Sequence, residues 1–207
     1  MTDDEMPAGK SAPRATFYFD LGSPFAYLAA ERLATVLSAP ASWQPISLGA
    51  IFKATGRSSW ALRDPQLRES GMAEVERRAR AYGLPPLRWP DPWPSNYLFA
   101  MRAATYAFEA GRGRDFTLAA FRGAFQEGRD LGLPDEVLRV AVTTGLHKAA
   151  ILDATRDSSV KLALRDATEA ARERGVFGVP TLAVGDELFW GDDRLPDAAA
   201  AYAARYQ

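Results

Sequence analysis

Apolar positions along the chain switch between two periods. Thr16-Phe17-Tyr18-Phe19 is short, aromatic and bounded by Asp20 and Gly22, the pattern of a β-strand. Beyond it Phe25, Leu28, Ala29, Leu33, Val36 and Leu37 recur at helical spacing, with Glu31 and Arg32 off the stripe. Ser23-Pro24 opens this helix, with a hydroxyl at the N-cap and a proline at the first helical position, where its missing N–H is not needed. Residues 41–48 predict a second strand, parallel to the first because a helix lies between them.

From Gly49 to about Arg156 the pattern is almost wholly helical. It predicts a short turn of helix over 51–54, irregular chain over 57–67 and a charged helix over 69–82 that Gly83 stops. Residues 84–96, rich in proline and carrying Trp89 and Trp93, cross a surface without regular pairing or line an aromatic pocket. Helices follow over 97–110, capped by Ser95 or Asn96, and over 116–126, then from Pro134 and from about Lys148. A stripe of Val160, Ala163, Leu164, Ala167, Ala170 and Ala171 marks a helix ending at Gly175. Residues 181–184 and 187–190 predict a hairpin around Gly185-Asp186, and 193–206 a closing Ala-rich helix.

Composition narrows the chemistry. The 207 residues are 47% hydrophobic, enough for a substantial core. Net charge is −1 and the 25 basic residues are scattered, so no stripe for nucleic acid is present. The first 14 residues are polar, without the basic start and apolar run of a signal peptide. They read as a disordered leader on a cytoplasmic protein, with no membrane partner because no stretch approaches about 18 apolar residues. Zero cysteines exclude disulfides, thiolate zinc sites and a redox relay of the protein's own. His147 is the sole histidine and reads as a surface residue at a helix start, so no metal site is expected. Without a histidine partner, Ser23 makes a poor hydrolase nucleophile.

Two separated stretches carry candidate chemistry. Ser23 sits where free backbone N–H groups and the positive end of a helix dipole favour an anion, although Ser-Pro alone is also an ordinary helix start. Val176-Phe-Gly-Val-Pro-Thr-Leu-Ala-Val184 places a Gly-Val-Pro-Thr turn before a strand, a familiar context for a cis-proline. Together with Asp20-x-x-Ser23-Pro24-Phe25-x-Tyr27-Leu28-Ala29 and Phe189-Trp-Gly-x-Asp-Arg194, this stretch resembles the 2-hydroxychromene-2-carboxylate isomerases and the related kappa-class glutathione transferases. The resemblance runs over most of residues 15–195.

It implies an α/β fold, a thioredoxin-like domain interrupted by an all-helical insertion, as in DsbA and the kappa-class transferases. The thioredoxin-like parts would be 15–56 and 156–207, and the insertion 57–155. Ser23-Pro24-Phe25-Ala26 stands where thioredoxins carry Cys-x-x-Cys. The resemblance implies glutathione as cofactor, with Val179 and Pro180 along its cysteinyl backbone and Ser23 at its sulfur. Asp193 and Arg194 would hold its γ-glutamyl end; alone, they read as a helix cap and a solvated charge. Arg57 and Arg68 stand where the family has an asparagine and a lysine near the ligand, and Met72, Glu74 and Arg77 replace a tyrosine and an Asp-x-x-Arg pair. The implied activity is isomerisation of 2-hydroxychromene-2-carboxylate or a similar aromatic-derived unsaturated carboxylate, by reversible thiolate addition, rotation and elimination. Two alternatives stay open, a kappa-like transferase or peroxidase that consumes glutathione and a non-catalytic glutathione-binding protein. Family members are often dimers, so a homodimer is one assembly to test.

Overall fold

The computed structural model describes residues 15–206; the leader at 1–14 lies outside them. Strand β1 (Ala15–Phe19) runs into helix α1 (Pro24–Val36) and then strand β2 (Ser42–Pro45). Eight helices follow: α2 (Leu48–Thr55), α3 (Trp60–Arg63), α4 (Pro65–Ala81), α5 (Leu98–Glu109), α6 (Gly113–Phe125), α7 (Pro134–Thr143), α8 (Lys148–Arg156) and α9 (Ser158–Glu173). The hairpin β3 (Thr181–Val184) and β4 (Glu187–Trp190) leads through a 3₁₀ turn (Asp192–Arg194) into α10 (Leu195–Tyr206).

The sheet order is β2-β1-β3-β4. β1 pairs parallel with β2, Phe17 opposite Trp43, and antiparallel with β3, Phe17 opposite Leu182. Alternation along β1 divides the core, since successive side chains leave opposite faces of a strand. Phe17 and Phe19 enter the larger cluster with Trp43, α1, α5 and α6, whereas Tyr18 joins Ile46, Ile51, Ala171 and Val179 in a smaller one. α1 is buried more widely than its predicted stripe: Ala26, Tyr27 and Ala30 are covered too, because α4, α6 and α10 all touch it.

Several boundaries differ from expectation for local reasons. The second strand stops at Pro45, because Ser47 turns the chain and accepts from the Ala50 N–H at 3.3 Å as the cap of α2. The segment expected to be irregular holds α3, capped by Ser59, and the start of α4, where Asp64 caps and Pro65 takes the first position. α5 begins at Leu98; Asn96 makes an Asx turn to the Leu98 N–H (3.1 Å), and no side chain caps the helix. The closing helix starts at Leu195, because residues 192–194 form the tighter 3₁₀ turn. Among the described residues, no helix is long and apolar enough to cross a membrane.

Candidate active site

The β1–α1 loop is fixed from beneath by a buried carboxylate. Asp20 accepts from the Gly22 and Leu48 N–H groups, each at 2.8 Å, so one side chain ties the loops before α1 and α2 together. Burial raises its pKa, with the two amide bonds opposing. Ser23 then caps α1. Its Oγ accepts from the Ala26 N–H at 3.2 Å and donates to the Val179 carbonyl at 3.5 Å, the outer limit of a hydrogen bond. Pro24 has no N–H, and the Ala26 N–H is taken by the cap. Of the first-turn amides, that of Phe25 therefore has neither a cap nor an intrahelical acceptor among the described residues.

Val179 belongs to the second predicted stretch. The Val179–Pro180 peptide is cis, as the motif predicts, and the Pro180 carbonyl accepts from the Gly191 N–H at 2.9 Å. Ser23 and Val179 face one cleft of about 380 Å³, within the roughly 300–1,000 Å³ range of small-molecule sites. Its walls come from the start of α1, from Phe52, from Arg57 to Trp60, from Trp93-Pro94 and from the Phe177–Trp190 pair, whose rings lie 4.9 Å apart. The Arg57 guanidinium reaches the rim, 5.0 Å from the Phe177 ring centre. Trp93 is buried, and its Nε1–H has no acceptor among the described residues, a desolvated donor they leave uncompensated.

A neighbouring cavity of about 460 Å³ shares Gly22, Leu48, Phe52, Ser59 and Pro94 with the cleft. Tyr97, Met101 and Leu62 line it, with Lys53 also present. Burial pushes the Tyr97 phenol up to about 12, so it stays protonated near neutral pH.

The other expected site residues fall into two places. Neither Asp193 nor Arg194 lines the cleft, and Asp193 is linked to its Phe25 wall through Arg78. Asp193 Oδ2 lies 3.4 Å from Arg78 Nη1, and the Arg78 guanidinium is 5.5 Å from the Phe25 ring. Arg194 pairs with Asp197 and lies over Phe189 at 5.9 Å. Arg68 is set apart. It lines a different depression with Asp64, Glu69 and Met72, although its guanidinium lies 6.0 Å from the ring centre of Trp93 in the wall of the Ser23 cleft. Glu74 pairs with Arg77 and Arg78, contacts that hold its carboxyl down at about 2. The expected surface position of His147 is what the structure shows.

The sequence reading did not find Asp192. It is fully buried and accepts from Arg78 Nη1 (2.8 Å) and the Tyr82 hydroxyl (2.9 Å). Desolvation raises its pKa, opposed by the Arg78 charge. Its partners were legible as a face, since Val75, Arg78, Ala79 and Tyr82 repeat at helical spacing.

A profile of the DSBA-like thioredoxin domain matches residues 15–203. A 2-hydroxychromene-2-carboxylate isomerase of Sphingobium xenophagum is 32% identical over 184 residues, 86% of this chain and 92% of that one. A protein of the same name from Pseudomonas putida is 28% identical over 185 residues, 86% and 89% of the two chains. A solved structure of 2-hydroxychromene-2-carboxylate isomerase aligns with a TM-score of 0.83 at 28% identity, over 92% of this chain and 95% of the other. A probable DsbA oxidoreductase from Streptomyces coelicolor aligns at 0.76 with 18% identity, over 95% and 92%, a likeness of fold alone. With a serine at the helix start, a cis-proline facing it and these matches, the chain belongs to the DsbA-like thioredoxin-domain family, among the 2-hydroxychromene-2-carboxylate isomerases.

Proposed function

We propose that this protein is a glutathione-dependent isomerase of 2-hydroxychromene-2-carboxylate or a closely similar unsaturated aryl carboxylate. The observation that carries the reading is the Ser23 hydroxyl at the N-terminus of α1, held to the Val179 carbonyl by a bond of only 3.5 Å, in a chain with no cysteine. So long a bond is readily exchanged for a better acceptor, and a thiolate is one. Bound in the cleft, glutathione would supply a thiolate that adds reversibly to the substrate's double bond, allows rotation and is regenerated on elimination.

The residues have separate tasks. Ser23 donates to sulfur while the α1 dipole favours the anion. A charge-assisted bond of this kind is worth on the order of 1.5–3 kcal/mol, enough to lower a thiol pKa by roughly one to two units. The Val179 backbone beside Pro180 runs along the cysteinyl unit, and Asp193 and Arg194 take the γ-glutamyl ammonium and carboxylate. Arg57 offers a planar fork to a ligand carboxylate at the rim. The apolar walls at Phe52, Trp60 and Trp93 exclude water and seat an aromatic acceptor beside the sulfur, supplying orientation. Arg68, outside the cleft, has no contact in this reading.

The test is calorimetric titration with reduced glutathione, followed by an absorbance assay of 2-hydroxychromene-2-carboxylate conversion. Wild type should bind glutathione, convert substrate only in its presence and leave total free thiol constant. Ser23→Ala should lower kcat/KM roughly 10- to 150-fold. Thiol consumption in step with turnover would instead make the protein a transferase. Conversion independent of glutathione, or no binding, would overturn the reading.

A further inference from the structure

Two adjacent aspartates occupy opposite environments. The side chain of Asp192 is 1% exposed and that of Asp193 is 55% exposed. Both oxygens of Asp192 are engaged, Oδ1 by Arg78 Nη1 at 2.8 Å and Oδ2 by the Tyr82 hydroxyl at 2.9 Å. Its backbone carbonyl accepts from Arg32 Nη1 at 3.0 Å, and the Arg32 guanidinium in turn lies 3.5 Å from the centre of the Tyr82 ring. At 1% exposure and with a protein donor on each oxygen, Asp192 is closed to a ligand. It is instead the point where α1, α4 and the 3₁₀ turn meet.

Arg78 is shared by three carboxylates. Its Nε donates to Glu74 at 2.7 Å, its Nη1 donates to Asp192, and the same Nη1 makes only a long contact to Asp193 at 3.4 Å. The shorter bonds go to Asp192 and Glu74, so Asp193, 55% exposed, keeps most of its acceptor capacity turned to solvent.

We propose that Asp192 is a positioning residue that holds Arg78 back from Asp193 and so keeps Asp193 open to the primary ammonium of the ligand; this rests on the glutathione reading above. Without the charge on Asp192, a half-buried guanidinium loses its closest buried partner. The nearest carboxylate it can recruit is then Asp193, and a direct Arg78–Asp193 pair occupies the oxygens that the ammonium needs.

Asp192→Asn tests this, with glutathione and with cysteinylglycine, which keeps the thiol and lacks the γ-glutamyl group. The variant should bind glutathione about tenfold more weakly, the effect of one displaced charged contact, while its affinity for cysteinylglycine stays within about twofold of wild type. In turnover, the KM for glutathione should rise with kcat at saturation unchanged, a split that general loosening of the fold would not produce. If the variant fails to fold, Arg78→Lys carries the same comparison, because it keeps the charge but loses the fork spanning Glu74 and Asp192. Equal losses for both ligands, or no loss for either, would overturn the role of Asp192 alone. Wild type that binds no glutathione would overturn the cofactor reading and this inference with it.

Discussion

Asp20 carries a cost that depends on pH. It is 6% exposed, and burial raises its pKa against two amide donors. A carboxyl with a folded pKa above its unfolded value binds more protons in the native state between the two values. Its contribution to stability therefore falls as pH rises through that window. Asp20→Asn removes the titration and keeps one acceptor. The second amide then faces an NH₂ group, a loss of about 1–3 kcal/mol. Denaturant melts of both proteins at pH 4.5 and 7.5 should show wild type more stable at both, with the gap smaller at pH 7.5. A gap that widens toward pH 7.5 would mean that the two amide bonds outweigh burial at this residue.

At the scale of elements, the start of α1 depends on what its neighbours leave room for. A Cβ on Gly22 would lie 2.3 Å from Tyr97 Cδ2, and the Tyr97 hydroxyl is already held by the Ser95 N–H at 3.1 Å, so the ring cannot simply turn away. Gly22→Ala should cost about 1–3 kcal/mol. It should also lower activity, because the strain falls one residue before Ser23. Gly49→Ala is the matched contrast. That position lies in α2 with nothing within 4 Å of the added carbon, and the change should stabilise by about 0.4–1 kcal/mol. Thermal melts and turnover of the pair separate crowding from loss of glycine as such. Elements whose signals are local were legible in the sequence: the aromatic strand, the Ser23-Pro24 start, the Gly185 hairpin and the cis-proline turn. α3 was missed because four residues hold barely one turn, too few to show a period. The start of α4 was missed although Asp64-Pro65 is a cap followed by a first-position proline, because exposed Leu67 masks the helical stripe. Asp192 was invisible for a different reason. Nothing local distinguishes it from Asp193, and only the arrival of Arg78 and Tyr82 from about 110 positions away buries one and not the other.

For the whole molecule, the cleft depends on α6 staying docked against α1 and β1, and two kinds of contact help to hold it there. One is the two-point ion pair between Glu31 of α1 and Arg122 of α6, 2.7 Å at its shorter contact, with the Arg122 side chain 49% exposed and that of Glu31 11%. The other is a run of fully buried rings. Phe121 of α6 lies 6.0 Å from Phe19 of β1 and 6.3 Å from Tyr27 of α1. Magnitudes decide between them. A bidentate pair with its guanidinium half in solvent contributes on the order of 1 kcal/mol, whereas truncating a buried phenylalanine to alanine costs about 3–5 kcal/mol by lost transfer energy and the cavity left behind. Arg122→Ala should therefore shift the denaturation midpoint little and spare ligand binding. Phe121→Ala should remove a large part of the stability of a chain this size and weaken binding at a cleft it does not touch, because Ser23 and Tyr27 ride on the same helix. If the two variants proved equally destabilised, charge rather than packing would be holding the helices to the sheet, and raising the salt concentration would then destabilise wild type as much as Arg122→Ala does.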